Sequence, residues 1–266
     1  SLEHDYPNAF EGMRLEMTEA EDSVLHHKPI HWKEVIDDLI YTLNFHAELM
    51  PAEDHLVLKS LVMPFLMNVI AAMPLDSGNQ LLALYDAGKL EIVSGKVTIA
   101  EAQETPGMTT INLIDDDAGS SVSYRMFIDC SGQKALELEN YPFPGLITHG
   151  AVRKARAHFH NSAGAANSLT DAQQEHLFFD EGEPLYHIGG IDIDGTFRLI
   201  GADGKPNRRI HDIAFPHTSG VRPYSYGLQA CSDTGAIVVK AWIEEIKTGA
   251  PLDSDPDEIT QIYEKV

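Results

Sequence analysis

The spacing of apolar residues changes near residue 90, and this change limits the folds that the chain can adopt. Between Trp32 and Ala87, apolar residues recur every three or four positions, which is the spacing of helices that bury one face. From Leu90 onwards, short apolar runs alternate with glycine-containing turns, a pattern typical of strands and hairpins. We therefore predict a mixed fold, α/β or α+β, in which a helical part precedes a β-rich part.

The change of pattern near residue 90, together with the positions of prolines and charged residues, predicts four sections of the chain. The first is polar, rich in acids and histidine, and contains Pro7 and Pro29, so we expect a linker or irregular cover. An all-helical insert, a β-rich section and an acidic, solvated tail follow it. The predicted sections are residues 1–30, 31–89, 90–250 and 251–266.

Three Met-Pro dipeptides interrupt the helical section. Proline is tolerated at the first position of a helix but disrupts its interior, so Pro51 and Pro74 predict helix starts and Pro64 predicts a kink or break. The uninterrupted apolar run Leu61–Met67 is far shorter than the ~20 residues that a bilayer requires. We expect a buried or partner-facing helix here and no association with a membrane.

Charge and cysteine content exclude several classes of protein. The 266 residues contain 19 basic and 41 acidic side chains, for a net charge of −22, which disfavours binding to nucleic acid or anionic lipid. Two cysteines without a CxxC pair exclude a disulfide framework, and a cytoplasmic location is expected. The chain opens on Ser1 with neither an initiator methionine nor a signal peptide, and we interpret it as a fragment of a longer protein.

The usual catalytic and metal-binding signatures are absent. The sequence contains no GxGxxG, no GxxxxGK[ST] and no HExxH, and the segment Pro223–Gly227 lacks the first glycine of GxSxG. The thirteen histidines include a cluster at His26, His27 and His31 and a pair at His158 and His160, but neither set has a carboxylate at ligand spacing. We therefore predict no metal site and name no catalytic acid or base.

Two segments have the form of ligand-binding turns. In the first, the predicted strand at Phe127–Ile128 ends in Cys130-Ser131-Gly132, where small residues allow a ligand to approach the backbone. In the second, a predicted strand over 210–215 leads through the loop Pro216–Tyr226 to a helix from about Leu228, a geometry that favours anions. The alternatives are an ordinary strand-to-loop turn in the first case and a packed connection without a ligand in the second.

These segments, with the helical block, carry a resemblance over roughly Trp32–Ile246. The chain resembles the C-terminal part of a bacterial family of FAD/NAD(P)-binding flavoprotein oxidoreductases, distantly similar to flavin-containing monooxygenases and ornithine or lysine hydroxylases. Phe127–Gln133 resembles the family's "ATG" strand end, with Cys130-Ser131-Gly132 in place of Ala-Thr-Gly. Residues 84–97 resemble its helix-Gly-strand-Gly step, 190–209 resemble its hairpin, and 210–217 resemble the strand that normally ends in Gly-Asp.

The resemblance implies a partial FAD/NAD(P)-binding Rossmann-like sheet with β-hairpins and an all-helical insert. It implies FAD in the parent protein, NAD(P)H as hydride donor and a small-molecule substrate. The residues expected beside the cofactor are Ser131, Gly132, His217, Thr218, Gly220 and Gly227. The glycine-rich fingerprint is missing and Pro216-His217 replaces Gly-Asp, so we expect weak or no binding of FAD without the missing N-terminal dinucleotide-binding segment of the same protein.

A second hypothesis comes from a different class of protein. The chain would then be a non-catalytic binding or interaction module that uses the apolar helices of residues 52–75 to dock a partner. A GxGxxG after a strand within the preceding ~200 residues of the gene would favour the flavoprotein, and its absence would favour the module.

Overall fold

The computed structural model describes residues 8–70, 73–93, 95–101, 105–115, 118–130, 136–164, 169–225, 227–251 and 259. For residues 68–70, 115, 118 and 227–229 it describes the backbone alone. The chain divides into two compact units. Unit 1 comprises Ser1–Ile30 and Ala72–Gly132, and unit 2 comprises His31–Ala71 and Gln133–Val266. Each unit combines helices with strands, whereas the sequence predicts separate helical and β-rich sections.

Helices and strands both occur along most of the described chain. The helices are α1 (Ala9–His26), α2 (His31–His46), α3 (Ala52–Val57), α4 (Met63–Ile70), α5 (Leu75–Asp86), α6 (Pro144–Thr148), α7 (Asp171–Gln174), α8 (Phe215–Thr218) and α9 (Gly227–Thr248). The strands are β1 (Lys96–Ile99), β2 (Thr109–Asp115), β3 (Ala118–Tyr124), β4 (Lys154–His158), β5 (Leu177–Asp180), β6 (Glu183–Ile191), β7 (Arg198–Ile200) and β8 (Pro206–His211).

Unit 1 begins with a helix where the sequence predicts a linker or irregular cover. The Asn8 side chain accepts hydrogen bonds from the N–H groups of Phe10 and Glu11 and so caps α1. Helix α1 packs on α5, with the rings of Phe10 and Tyr85 stacked 4.0 Å apart. The prediction for 1–30 is therefore corrected over Ala9–His26: the glutamates and methionines there favour a helix, and α5 covers its apolar side.

The sheet of unit 1 is an antiparallel meander of β1, β2 and β3. The run Asp115-Asp116-Asp117-Ala118-Gly119 is typical of a hairpin turn, and the flanking strands form that hairpin, since Asp115 pairs with Ala118 and Thr109 pairs with Tyr124. The strand predicted to continue to Ile128 ends at Tyr124, and Met126 and Ile128 are 75% and 70% exposed. Tyr124 pairs with Thr109, the first residue of β2, and the residues before Thr109 form a turn in which Met108 N–H donates to Thr105 O. No residue of β2 is therefore available to pair with β3 beyond Tyr124.

Unit 2 contains two antiparallel sheets, one with the order β4-β6-β5 and one formed by β7 and β8. Strands β5 and β6 form a tight hairpin in which Asp180 pairs with Glu183. The buried core is shared by α2, the inner strands and α9; its members include Phe45, Ile191, Phe197, Leu199, Ile237 and Ile259. Ile259 is fully buried, which corrects the predicted solvated tail at that residue, while 252–258 and 260–266 lie outside the described residues.

The helices α2, α3 and α4 belong to unit 2. Phe45 of α2 lies in the core of that unit, and α3 contacts β4 and β6. The irregularity predicted at Pro64 takes the form of a π-helical turn at Leu58–Val62, immediately before α4. A proline cannot donate to the carbonyl four residues earlier and its ring crowds that carbonyl, so the wider turn accommodates it.

The mixed helix-and-strand class is confirmed, and all described strand pairs are antiparallel, which is the α+β form of the prediction. The described strands thus contribute no parallel pair to the expected Rossmann-like sheet. Among the described residues, every helix is too short or too polar to traverse a bilayer.

Candidate functional site

Two segments singled out by the sequence meet at Leu136. This residue lies just beyond the first predicted ligand turn, and its N–H donates to Pro216 O at 3.1 Å. Gly190 N–H in turn donates to Leu136 O at 2.8 Å. Leu136 therefore joins the end of β6 to the start of α8 through the backbone, which places two segments of the family resemblance side by side.

The end of β6 and the loop after α8 touch through their backbones. Gly190 has a φ of +73°, and a Cβ added there would lie 2.1 Å from His217 O. A Cβ on Gly220 would lie 2.2 Å from Gly189 O. Real side-chain carbons do not approach this closely, so glycine is required at both positions by packing within the chain.

The loop after β8 differs from the predicted anion-binding turn. The strand ends at His211 instead of Phe215, and the Asp212 carboxylate accepts the N–H of Ala214 at 2.9 Å, which turns the chain into α8. The N–H groups of His217 and Thr218 both donate to Ala214 O, so they are already paired within the helix. Helix α8 has four residues, and Pro216, its second residue, has no N–H to offer a ligand.

The six residues expected beside a cofactor are placed as follows. Ser131 and Gly132 lie outside the described residues. The Thr218 side chain is fully buried and donates to Ala214 O at 3.3 Å, while Gly220 packs on Gly189. Gly227 begins α9. Their contact with a cofactor stays a prediction, and for Thr218 the burial leaves the side chain no exposed surface.

His217, the remaining predicted residue, belongs to a buried polar cluster that sequence reasoning missed. Asp212 Oδ2 accepts a hydrogen bond from Tyr141 Oη at 2.8 Å and lies 2.8 Å from His217 Nδ1. Because an ionised carboxylate only accepts, His217 carries its proton on Nδ1. Burial and the neighbouring Asp212 raise the pKa of Tyr141, so its phenol stays protonated and donates.

A second polar group ties α2 to the loop that follows α8. The guanidinium of Arg222 is fully buried, with Nη1 2.7 Å from Glu48 Oε2, and it lies over the rings of Phe45 and Phe197. Asn44 accepts the N–H of Tyr224 at 2.9 Å. These contacts fix the loop against the helical part of unit 2. Arg222 is therefore anchored within unit 2 by its ion pair with Glu48.

A pocket of about 200 Å³ lies beside this loop, between α3 with its π-helical turn, β6 and the segment Ser219–Pro223. Its walls are mostly apolar; they include Leu58, Met63, Tyr186, Ile188 and Pro223. Polar residues also line it, namely His55, Lys59 and Ser219. The π-helical turn at Leu58–Val62 places both Leu58 and Lys59 at the pocket, and such turns frequently occur at functional sites.

His55 is the most unusual polar group of the pocket. Its side chain is nearly buried, at 8% exposed for the whole residue, and Nε2 has no hydrogen-bond partner in the part of the chain that the structure describes. The ring bonds to the carbonyl of Ala47, so Nδ1 is the nitrogen that donates. Burial lowers the pKa of His55 despite that bond, and Nε2 is therefore an unprotonated acceptor near neutral pH.

Among the described residues, no cluster of side chains is suited to hold a metal ion. No three His, Cys, Asp or Glu side chains come together there at a suitable distance. The residues that line the pocket offer hydrogen-bonding groups and apolar surface.

Comparison with known proteins gives one partial match. The family model for a YdhS-like middle domain matches residues 1–70. The matched segment contains α1 to α4 and therefore includes His55, Leu58 and Lys59 of the pocket, whereas Tyr186 and Gly220 lie outside it. No curated protein and no solved structure matches the chain.

Proposed function

We propose that the chain is part of a FAD-dependent oxidoreductase or monooxygenase that uses NAD(P)H. The observation that carries the proposal is the backbone bridge of Leu136 to both Gly190 and Pro216. The segments 190–209 and 210–217, which resemble the family's hairpin and its last strand, are thereby held together in unit 2. FAD would supply hydride acceptance when bound, and the protein would supply binding and orientation.

A whole FAD does not fit the described residues. The N–H groups of His217 and Thr218 are paired, and the space beside Gly190 and Gly220 is filled by backbone atoms. The pocket of about 200 Å³ is also smaller than the ~300–1,000 Å³ of ordinary ligand sites and has room for one ring system. We therefore assign no reaction step to this chain and infer that another segment of the same protein holds the adenine and the pyrophosphate.

The flavin content of two purified proteins tests the proposal. The full-length gene product is expected to carry close to one FAD per chain, while the 266-residue chain is expected to be nearly colourless. A colourless full-length protein that also fails to take up added FAD would contradict the proposal. Flavin absorbance near one per chain in the 266-residue protein would refute the inference that the cradle lies elsewhere.

A pair of matched variants of the full-length protein sharpens the test. Gly132→Ala, in the predicted dinucleotide turn, is expected to lower the FAD content or weaken FAD binding at least about tenfold, because an added methyl group obstructs close approach to the backbone. Gly235→Ala, in helix α9 with open space around its Cβ position, serves as the control and should retain FAD. Equal FAD binding by both variants would remove the predicted role of Gly132.

A second candidate function is a non-catalytic interaction module that docks through the helices of residues 52–75. The observation that favours it is a set of exposed apolar side chains on α3, the π-helical turn and α4: Val57, Leu61, Phe65 and Met67. Two results together would support the module over the enzyme. One is an upstream coding sequence that contains no strand followed by GxGxxG, and the other is a full-length protein that purifies without flavin.

A further inference from the structure

We propose that the pocket beside α3 binds a small, mostly apolar ring that carries one hydroxyl or N–H group, and that this group donates a hydrogen bond to His55 Nε2. The proposal goes beyond the flavoprotein function, because it concerns a ligand other than FAD and can be tested on this chain without flavin. It rests on the size of the pocket, the chemistry of its walls and the orphaned nitrogen of His55.

The size of the pocket suits a single substituted ring. A cavity of ~150 Å³ lined by apolar side chains is sufficient for benzene, so about 200 Å³ leaves room for one further substituent. The walls supplied by Leu58, Met63 and Ile188 offer dispersion contacts and favour removal of apolar surface from water. The rings of Tyr186 and Pro223 extend this surface. An apolar ring is therefore the body of the ligand that these walls fit best.

The polar group of the ligand is set by His55. A buried acceptor without a partner costs free energy, and a donor that reaches it recovers that cost. Nδ1 is engaged with Ala47, so the only remaining ring nitrogen is Nε2, which can accept but not donate in the neutral form. The ligand must therefore present an O–H or N–H, and a carboxylate would be a poor match at this atom.

The other polar residues do not change this assignment. Lys59 is exposed, so its ammonium can stay in water while its stem borders the pocket. Ser219 is half-buried and carries a hydroxyl that can rotate to donate or accept. His55 is thus the one lining group whose buried atom, among the described residues, specifies the hydrogen-bonding sense of the ligand.

The experiment compares phenol with toluene, two rings of similar size that differ in the donor. Binding to the ¹⁵N-labelled 266-residue chain is followed by chemical-shift changes, and the ¹⁵N signal of His55 Nε2 is recorded in parallel. Phenol is expected to shift the Nε2 signal, whereas toluene is expected to perturb the pocket amides without moving Nε2. His55→Phe is expected to weaken phenol about 3- to 10-fold and to leave toluene within about twofold, the effect of one net hydrogen bond.

Matched tryptophan variants locate the binding site. Met63→Trp fills the pocket and is expected to abolish binding of both rings, whereas Leu61→Trp, at an exposed position of the π-helical turn that does not line the pocket, is expected to bind both like the wild type. Toluene binding by His55→Phe shows that the pocket of this variant is intact. If the variant does not fold, the Nε2 signal of the wild-type chain tests the hydrogen bond to His55.

Three results would overturn the proposal. The first is no binding of either ring up to its solubility limit, which would mean that the pocket does not accept an apolar ring. The second is phenol binding that leaves the Nε2 signal unmoved. The third is equal loss of binding in Met63→Trp and Leu61→Trp. Each of these results leaves the flavin content of the full-length protein unaffected, so this proposal and the flavoprotein proposal fail separately.

Discussion

Gly190 and His217 approach so closely that a side-chain carbon on Gly190 would lie 2.1 Å from the carbonyl oxygen of His217. Gly190 also has a φ of +73°, a region that residues other than glycine rarely adopt. This contact holds the end of β6 against α8. The wall of the pocket formed by Ile188, Ser219 and Gly220 depends on the same approach.

Gly190→Ala is therefore expected to lower the free energy of unfolding by about 2–4 kcal/mol, from backbone strain and overpacking combined. Gly182→Ala is the matched control, because Gly182 has a φ of +87° but nothing within 4 Å of its Cβ position, so only the strain of about 1 kcal/mol applies. Urea denaturation of both variants measures the difference. A loss in Gly190→Ala no larger than that in Gly182→Ala would contradict the close approach.

Glu48 balances the buried charge of Arg222, and Glu48→Leu is expected to destabilise the protein by about 3 kcal/mol, because the guanidinium remains buried without its counter-charge. The double variant Glu48→Leu/Arg222→Met removes both charges and is expected to recover most of that loss. Asp22→Asn, which breaks an exposed pair with Lys28, should cost less than about 1 kcal/mol. A double variant less stable than Glu48→Leu would show that the pair is not coupled as described.

Tyr141 donates to the Asp212 carboxylate, and Tyr141→Phe is expected to lower the free energy of unfolding by about 1–2 kcal/mol because a buried hydrogen bond to a charged acceptor is lost. Tyr85→Phe keeps the ring stacked on Phe10 and provides a control in a different unit. Urea denaturation of both variants gives the comparison. Equal stability of Tyr141→Phe and the wild type would mean that Asp212 does not depend on the phenol.

Stability is expected to fall as the pH drops below the ordinary histidine pKa of about 6.5. Burial lowers the pKa of both His55 and His187, so in this window the unfolded chain binds protons that the folded chain does not. Their contribution is complete above the ordinary pKa and is lost on acidification, with a slope of at most about 1.4 kcal/mol per pH unit for each proton. Urea denaturation between pH 8 and pH 5.5 measures this slope.

The double variant His55→Gln/His187→Gln tests the origin of the pH dependence. Its slope between pH 6.5 and pH 5.5 is expected to be smaller than that of the wild type, because neither position then takes up a proton on unfolding. Identical slopes in the two proteins would assign the pH dependence to other groups.

Local signals predicted much of the secondary structure. The proline at position 51 precedes α3, the irregularity at Pro64 appears as the π-helical turn, and the hairpin between β2 and β3 follows its run of aspartates. These features depend on backbone sterics within a few residues, so the sequence contains them in full. The sequence pattern did not predict helix α1, because its apolar side is covered by α5, which lies about fifty residues later in the chain.

The candidate site was predicted less completely. The loop after β8 was identified, but its N–H groups were expected to be free, and only the structure shows that Asp212 folds them into α8. His55 gave no signal in the sequence, because a histidine followed by apolar residues is most often exposed or satisfied. Its significance comes from burial and from the missing partner of Nε2 within the described residues, and both are properties of the packed chain.

The sequence by itself determined the mixed class, the positions of most helices, and the acidic surface that disfavours nucleic acid. Only the tertiary structure decided that residues 31–71 share a core with the later strands, that Leu136 bridges Gly190 and Pro216, and that His55 and Gly220 border one pocket. The physical reason is that turns and helices follow from neighbouring residues, whereas a pocket depends on which distant surfaces exclude water from each other.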